Sequence, residues 1–399
     1  MFFTQSDTDL LQTNKDDSIM NNFIFQNTTK LVFGKGQIAR LKTLIPLDKK
    51  IMITFGGGSV KRNGIYEQVT DALREHNCIE FWGIEPNPTV ETLRKAIAEC
   101  KEEKVDFLLA VGGGSVLDGT KLIAAGVCYN GDAWDIVLKG KADASIPFAS
   151  VMTLPATGSE MNAGAVISRS ETIEKYAFYS RYPEFSILDP EATYSLPPNQ
   201  IAAGLADIYV HVLEQYMTSP GQSRVMDRWA EGLLLTVLEI APKIRENQHD
   251  YDTMADFMLS ATMALNDFIR MGVIQDWATH MIGHELTALH GITHGASLAI
   301  VLGGTLRVLK EQKRAKLLQY AERIFGIITG TEDERIEQAI EQTEDFFRSL
   351  GLATRLSEVG IGAETIEKVA ERFNEAEAAY GENNNVTGDV AREILSVVK

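Results

Sequence analysis

The sequence is poor in cysteine, in basic residues relative to acidic ones, and in long hydrophobic runs. Its three cysteines, Cys78, Cys100 and Cys128, are odd in number and lack metal-type pairing, which favours a reducing compartment over a disulfide framework. The 38 basic and 55 acidic residues give a net charge of −17, which repels nucleic-acid phosphates and anionic lipid. No apolar run reaches the ~18 residues of a membrane span, and the N-terminus shows no signal-peptide pattern. We therefore expect a cytoplasmic protein without nucleic-acid or membrane partners.

The first half of the chain has the pattern of an α/β domain. Residues 1–19 are polar and acidic, and we expect them to form a disordered extension. Patterned sequence begins near Met20, where NNFIFQNTTKLVFGKGQIARL indicates two strands and the start of a helix. From residue 50 to about 190, nearly continuous apolar strands alternate with amphipathic helices, as in a doubly wound parallel sheet. We predict a Rossmann-like dinucleotide-binding domain over residues 20–190.

The second half has a different pattern. From Ile201 to Lys399, long helical periodicities follow one another, with few β-branched runs and short glycine-bearing breaks. Pro197 and Pro198 are suited to opening the first of these helices. With 45% hydrophobic residues in 399, the chain can bury a large core, and a length of roughly 100 to 200 residues per domain indicates two or three domains, of which we choose two. We predict an all-helical metal-binding domain over residues 191–399.

The motif LLAVGGGSVLDGTKLIAAG places a glycine-rich loop between a buried strand and a helix. The glycines Gly112, Gly113 and Gly114 let the backbone approach a ligand closely. The free N–H groups and the dipole at the start of the helix favour a diphosphate. For this motif alone, a plain strand-to-helix turn is an equally good interpretation, since it is neither a Walker A sequence nor a complete G-x-G-x-x-G.

A similar loop, MITFGGGSVKRNG, follows an earlier strand. Enzymes that prefer NAD commonly place a carboxylate beyond a strand end, whereas a 2′-phosphate needs that carboxylate absent and donors present. Here Gly57, Gly58 and Ser59 are followed by Lys61 and Arg62. The loop therefore favours NADP over NAD, although two basic residues at a helix start are more often simply solvated.

Hydroxyl and amide side chains are concentrated in VMTLPATGSEMNAGAVISR. Thr153, Thr157, Ser159 and Asn162 can hydrogen-bond a nicotinamide, its ribose or phosphate oxygens without adding charge, and Lys175 can supply a cation. Each of these residues taken alone is more typical of a turn or a helix cap.

Four of the seven histidines lie in the segment DWATHMIGHELTALHGITHG. His280 and His284 are four residues apart and so share one helix face, as do Asp207 and His211 in GLADIYVHVLEQY. Gly291 is suited to ending the histidine-bearing helix and Thr293 to capping the next, which would put His294 at a helix start that folds back towards His280. A carboxylate and several imidazoles inside a helical domain predict a divalent-metal site.

The stretch GHELTALH is similar to a zinc-protease helix but has the wrong spacing. His284 and His290 are separated as H-E-x-x-x-x-H, which rotates His290 about half a turn beyond the position that H-E-x-x-H requires. Glu285 is therefore expected to be a solvated or structural carboxylate, and a metal hydrolase of another type remains an alternative.

These motifs in combination resemble the iron-containing, group III metal-dependent alcohol dehydrogenases. The resemblance rests on GGGS-x-x-D-x-x-K at Gly112–Lys121, on Pro-x-Thr-Gly-Ser-Glu at Pro155–Glu160, on the Asp-x-x-x-His pair, and on two histidines fourteen residues apart. It extends from about Met20 to the C-terminus and is strongest towards NADPH-dependent butanol dehydrogenases and broad-range aldehyde reductases. It implies the dehydroquinate synthase-like fold of that family.

The resemblance also implies residue roles. The metal ligands would be Asp207, His211, His280 and His294, with His284 beside the metal as the catalytic residue. The cofactor would bind in a cleft lined by Gly57, Gly58, Ser59, Gly113, Gly114, Ser115, Asp118, Thr153, Thr157, Asn162 and Lys175. The ion would be Zn(II) or Fe(II), and the protein a homodimer. No role for His290 follows from the resemblance.

The expected reaction is metal-assisted hydride transfer between NADP(H) and a short-to-medium aldehyde or alcohol, with a proton delivered through His284, water or a cofactor hydroxyl. Enzymes of the glycerol dehydrogenase or dehydroquinate synthase type share the two-domain plan and are alternatives, although the ligand pattern and TLPATGSE fit them less well. A metal-dependent phosphohydrolase, which would not bind NADPH, is an alternative of another class. A catalytically silent binding protein fits least, because the ligand set and both glycine loops are intact.

Overall fold

A computed structural model describes residues 20–218 and 222–399, which form two compact units. The first unit contains Gln26–Leu196 and Glu246–Asn266. The second contains residues 20–25, 197–218, 222–245 and 267–399. The N-terminal extension predicted over residues 1–19 lies outside the described residues.

The first unit is built on a parallel sheet, as predicted. Among the described residues, six strands form it in the order β1-β8-β5-β4-β2-β3, and β6 and β7 pair separately as an antiparallel hairpin. The strands are β1 (Lys30–Phe33), β2 (Lys50–Phe55), β3 (Asn77–Phe81), β4 (Phe107–Gly113), β5 (Phe148–Leu154), β6 (Gly164–Arg169), β7 (Glu174–Tyr179) and β8 (Phe185–Leu188).

The central strands β2, β4 and β5 are largely apolar and almost entirely buried because both faces of the sheet are covered. In β4, Leu108 and Ala110 belong to one apolar cluster, whereas Leu109 and Val111 belong to the other. The helices of this unit are α1 (Leu41–Leu44), α2 (Ser59–Arg62), α3 (Ile65–Ala72), α4 (Val90–Glu103), α5 (Gly114–Val127), α6 (Ala133–Lys139) and α9 (Tyr251–Ala264).

The direction in which the chain adds strands to the sheet reverses between β2 and β4. The chain runs from β2 outward to β3 and then returns to the other side of β2 with β4, and both neighbours of β2 are parallel to it. In open α/β sheets, ligands bind at the carboxyl ends of the strands where this reversal occurs. Both GGGS loops follow these two strands and so lie at that edge.

Two segments differ from the predicted organisation. Glu246–Asn266 groups with the first unit rather than with the helical domain predicted over residues 191–399. The Gln248 side chain explains part of this, since its amide donates to the carbonyl oxygens of Thr193, Tyr194 and Leu196 at 3.1, 3.0 and 2.8 Å. The strand predicted at NNFIF is not formed; there the described backbone bond is Asn21 N–H to Gly272 O, at 2.9 Å.

The second unit is helical, as predicted. Its helices are α7 (Pro198–Tyr216), α8 (Arg224–Glu246), α10 (Ala278–His290), α11 (His294–Val308), α12 (Lys310–Phe325), α13 (Glu332–Ser349), α14 (Ala363–Glu375) and α15 (Gly388–Val397). Helix α7 starts at Pro198 as expected and is buried from Ile201 to its end, which makes it the central helix of the unit. None of the helices in the described residues combines the length and the apolar character of a membrane span.

Close packing of α11 on α7 depends on Gly295. A Cβ atom at this position would lie 2.0 Å from the carbonyl oxygen of Ala203, so only glycine allows the two helices to approach this closely. Ala203 lies one turn before Asp207, and Gly295 follows His294. The approach therefore determines how near a histidine of α11 comes to the carboxylate of α7.

Candidate functional site

The second unit brings together the four side chains for which the resemblance implies metal binding. Helix α7 carries Asp207 and His211 one turn apart, α10 carries His280, and α11 begins with His294. Asp207 Oδ1 lies 3.6 Å from His211 Nδ1, 3.7 Å from His280 Nε2 and 3.6 Å from His294 Nε2. One carboxylate oxygen thus lies at the centre of three imidazoles.

The chemistry of this cluster fits a divalent cation. Asp207, His280 and His294 each offer one ligand atom within 4.8 Å of the others, while His211 adjoins this group through Asp207 and its ring stacks on His280 at 4.6 Å. Within the described residues, neither His211 Nδ1 nor His280 Nε2 makes a hydrogen bond, although both atoms are buried. Buried polar atoms without hydrogen bonds are costly, and a metal ion uses their lone pairs.

The pKa values of the two stacked imidazoles are shifted in opposite directions. Burial lowers the pKa of His211 to about 4, and the Asp207 carboxylate acts in the other direction. Burial also disfavours the charged form of His280, but the carboxylates of Glu214 and Asp207 outweigh burial and raise its pKa to about 9. Because a metal binds the neutral imidazole, metal binding competes with protonation of His280.

His284, the predicted catalytic residue, lies beside the cluster. Its ring centroid is 5.0 Å from that of His294 and 6.4 Å from that of His280, and its side chain is buried. Trp277 lies against the other rings, edge-on, at 5.1 Å from His280 and 6.1 Å from His211. Its φ of 66° is a left-handed conformation that costs free energy in a bulky residue, a feature common near functional sites.

Glu214 is the residue of this site that the sequence analysis missed. It is buried on α7, and its carboxylate contacts His280 Nδ1. A signal for it was present, because Asp207, His211 and Glu214 stand at positions i, i+4 and i+7 and so lie on one helix face.

Two further residues of α10 have structural roles. His290 Nε2 lies 2.9 Å from the Thr365 hydroxyl, which gives this histidine a hydrogen-bonding role that the resemblance did not supply. Glu285 forms an ion pair with Arg372, which confirms the expectation that it is a structural carboxylate. Gly291 ends α10 with a φ of 68°, as predicted, whereas Thr293 precedes α11 without a capping hydrogen bond from its side chain.

In the first unit, the glycine loop after β2 is open, whereas the loop after β4 is closely packed. A Cβ at Gly57 would meet no atom within 4 Å, and Gly58 has a φ of 88° that strongly favours glycine. After β4, Gly113 is the N-cap of α5, whose first N–H groups point out of the helix. A Cβ at Gly114 would lie 2.4 Å from Thr157 Oγ1, so glycine is needed for the β5 loop to pack against this helix start.

The structure links Ser115 to Lys175 through Asn87. The Asn87 backbone N–H donates to Ser115 Oγ at 3.4 Å, and its side-chain oxygen accepts from Lys175 Nζ at 2.9 Å. Asn87 has a φ of 57° and stands in GIEPNP, between two prolines. The hairpin strand β7, which the sequence analysis did not predict, positions Lys175 for this contact.

Asp118 and Asn162 point into a buried polar network. Asp118 accepts hydrogen bonds from Ser159 Oγ at 2.7 Å and from the Val166 N–H at 2.9 Å. Asn162 accepts from Lys121 Nζ at 3.0 Å, and its amide donates to backbone carbonyls. These hydrogen bonds indicate that Asp118 and Asn162 stabilise the loop after β5. Thr153, on β5, is also buried.

Lys61, which follows the first glycine loop, lies over the rings of Tyr66 and Trp82. Its Nζ is 4.0 Å from the centre of the Trp82 ring and 5.1 Å from that of Tyr66. Glu80, on the neighbouring strand β3, accepts hydrogen bonds from the Tyr66 hydroxyl at 2.9 Å and from the Trp82 indole at 2.8 Å. The aromatic side chains therefore hold one carboxylate and one ammonium group next to the loop.

Comparison with known proteins places this site in a family. Residues 28–190 match the description "Iron-containing alcohol dehydrogenase", and residues 201–398 match the C-terminal region of the same family. The chain belongs to the iron-containing alcohol dehydrogenase family. This confirms the resemblance seen in the sequence.

Two members of the family illustrate the similarity. The NADPH-dependent aldehyde reductase YqhD of Escherichia coli is 50% identical over 95% of this chain and all of its own length. A probable NADH-dependent butanol dehydrogenase of Bacillus subtilis is 41% identical over 95% of this chain and 99% of its own.

Solved structures of the family have the same fold. The crystal structure of E. coli YqhD superposes with a TM-score of 0.94 and covers 96% of this chain and 100% of its own. The NADH-dependent butanol dehydrogenase A of Thermotoga maritima, 36% identical, has a TM-score of 0.91 and covers 95% of this chain and 99% of its own. The predicted fold class is thereby confirmed.

Proposed function

We propose that the protein is an NADP(H)-dependent alcohol dehydrogenase that reduces short-to-medium aldehydes with the help of one divalent metal ion. The observation that carries this proposal is the cluster of Asp207 with His211, His280 and His294 in the second unit. Aldehydes are favoured as substrates because the E. coli relative, 50% identical, is an NADPH-dependent aldehyde reductase.

The metal ligands would be Asp207, His211, His280 and His294. This mixed set of nitrogen and oxygen donors suits both Zn(II) and Fe(II), and we propose one of these two ions. When bound, such an ion supplies Lewis-acid chemistry, polarising a carbonyl or lowering the pKa of an alcohol. Burial of the cluster strengthens electrostatic interactions inside it, because the effective dielectric constant is lower than in water.

The cofactor would be held by the first unit. Free N–H groups at the start of α5 suit a diphosphate, and the hydroxyl of Ser115 and the ammonium group of Lys175 lie near it through their contacts with Asn87. Gly57 and Gly58 leave space after β2, Ser59 begins the helix that follows them, and Thr157 adjoins Gly114. We propose that Gly113 and Thr153 also line this site, and that Asp118 and Asn162 support it through the buried network rather than by direct contact.

A preference for NADP(H) is proposed on two grounds. The first is Lys61, whose ammonium group is held over Trp82 close to the open glycine loop and can pair with a 2′-phosphate. The second is the relative with 50% identity, which is named as NADPH-dependent. The NADH-dependent names of relatives at 41% and 36% identity make this preference a property to be measured.

Proton transfer is assigned to His284. Its buried imidazole lies beside His294 without belonging to the metal cluster, so it can hold or move a proton while the other imidazoles bind metal. The cytoplasmic location and the homodimer stay predictions.

The proposal is tested by following NADPH oxidation with a series of straight-chain aldehydes, using protein stripped of metal and reloaded with Zn(II) or, anaerobically, Fe(II). We expect turnover only after metal is restored, and a higher kcat/KM with NADPH than with NADH. Binding of NADPH is followed in parallel by its fluorescence. Absence of both binding and turnover with either ion would refute the proposal and favour a metal-dependent phosphohydrolase.

A further inference from the structure

Glu214 is a buried carboxylate with three hydrogen-bond partners at the start of α10, and two of these are groups of His280, a histidine of the metal cluster. Its Oε1 accepts from the Thr279 N–H at 2.6 Å, and its Oε2 accepts from the His280 N–H at 3.2 Å. Oε2 also contacts Nδ1 of the His280 ring. The residue is 3% exposed, so these protein groups replace the water that a carboxylate otherwise binds.

These contacts determine which ring nitrogen of His280 can bind a metal. An ionised carboxylate only accepts hydrogen bonds, so the proton of the neutral imidazole must be on Nδ1. The lone pair is then on Nε2, which is the nitrogen 3.7 Å from Asp207 Oδ1. Metal-binding histidines commonly donate their other N–H to a carboxylate in this way.

We infer that Glu214 is a positioning residue, which fixes the tautomer and the ring orientation of His280 and thereby raises the affinity of the protein for its metal. This inference rests on the proposed function, because it presupposes a metal at the Asp207 cluster. Glu214 would thus contribute to the proposed function without itself binding the ion.

A purely structural role must be distinguished from this one. Helix α10 is preceded by Trp277, which provides no side-chain cap, so the two backbone N–H groups bound by Glu214 stabilise the start of the helix. A residue that only caps α10 would affect folding of the helix. It would not alter which His280 nitrogen carries the proton.

The substitution Glu214→Gln separates the two roles. Glutamine has one acceptor oxygen and one NH₂ group, so it cannot satisfy all three donors that surround Glu214. Glu214→Asp keeps both acceptors but is one methylene shorter. Glu285→Gln is the matched control, because Glu285 lies on α10, the helix that carries His280, and pairs with Arg372 rather than with a histidine of the cluster.

The experiment measures the Zn(II) dissociation constant of the full-length protein by competition with a chromogenic chelator, together with the thermal midpoint of each metal-free form. For Glu214→Gln we expect affinity to fall roughly 10- to 100-fold. Glu214→Asp should lose less, and Glu285→Gln should bind as the wild type does. Wild-type affinity in Glu214→Gln, or an equal loss in Glu285→Gln, would overturn the inference.

A second measurement needs no substitution. In the Zn(II)-loaded wild type labelled with ¹⁵N-histidine, the ring proton of His280 should be on Nδ1. A proton on Nε2 would overturn the inference even if Glu214→Gln does not fold. Failure of the proposed function has a separate signature, since in that case the wild type itself would bind no Zn(II) at the Asp207 cluster.

Discussion

Asp207 Oδ1 and His294 Nε2 lie 3.6 Å apart, although the two residues come from different helices of the second unit. Gly295 makes this approach possible, because a Cβ there would lie 2.0 Å from the carbonyl oxygen of Ala203. The backbone packing of α11 on α7 is thus a precondition of the metal cluster.

Gly295→Ala should therefore damage the metal site as well as the fold. Since the obstructing atom belongs to the backbone, the helices must separate, and overpacking of this kind costs about 1–3 kcal/mol. We expect a lower thermal midpoint and a loss of bound metal, measured by elemental analysis. Gly232→Ala is the control, because a Cβ there meets nothing within 4 Å. Unchanged metal content in Gly295→Ala would contradict this account of the packing.

Lys61→Ala should change the choice between the two nicotinamide cofactors. If Lys61 pairs with the 2′-phosphate, its removal should reduce kcat/KM for NADPH roughly 10-fold or more, since hydrogen bonds to charged groups contribute about 1.5–3 kcal/mol. The value for NADH should change little. Lys95→Ala, on helix α4, serves as a control for the loss of one positive charge. An equal effect on both cofactors would show that Lys61 does not recognise the phosphate.

His284→Ala should separate metal binding from proton transfer. Because His284 lies beside the cluster and outside the proposed ligand set, we expect normal metal content and a kcat lowered by roughly 10²–10⁴-fold. Elemental analysis and turnover of the same preparation measure both quantities. Loss of metal in this variant would mean that His284 is a ligand.

The metal-free protein should be most stable near pH 6.5. The pKa of His211 is lowered from 6.5 to about 4, so its contribution to the free energy of unfolding is lost as the pH falls through that range. The pKa of His280 is raised to about 9, so its contribution is present below pH 6.5 and is lost as the pH rises to about 9. Thermal midpoints of the chelator-treated protein measure this dependence. In His280→Gln the alkaline decrease should shrink, and an undiminished decrease would assign it to other groups.

Much of the fold could be predicted from local sequence signals. Pro198 opens α7, Gly291 ends α10 and His294 begins α11 because proline, glycine and helix-start positions have local backbone requirements. The parallel sheet was predictable from apolar strands that alternate with helices. The cluster of Asp207 with the histidines followed from the four-residue spacing and from the family resemblance.

Contacts distant in sequence could not be predicted in the same way. Glu214 lies on the predicted helix face, but its contact with His280 depends on how α10 packs against α7. Glu246–Asn266 has an ordinary helical pattern, and contacts distant in sequence, such as the bonds of Gln248 to the carbonyls after β8, show its place in the first unit. The contact of the Asn87 side chain could not be predicted, because its partner Lys175 lies on β7, a strand that was not predicted from the sequence.

The central claim is that Asp207 and the imidazoles around it bind one divalent ion. The most direct test is the metal content per chain of the wild type and of His294→Ala after both are loaded with Zn(II) and freed of excess metal. We predict about one ion per wild-type chain and little or none in His294→Ala, with turnover lost in parallel. Equal metal content in the two proteins, or full activity in a metal-free preparation, would contradict the claim.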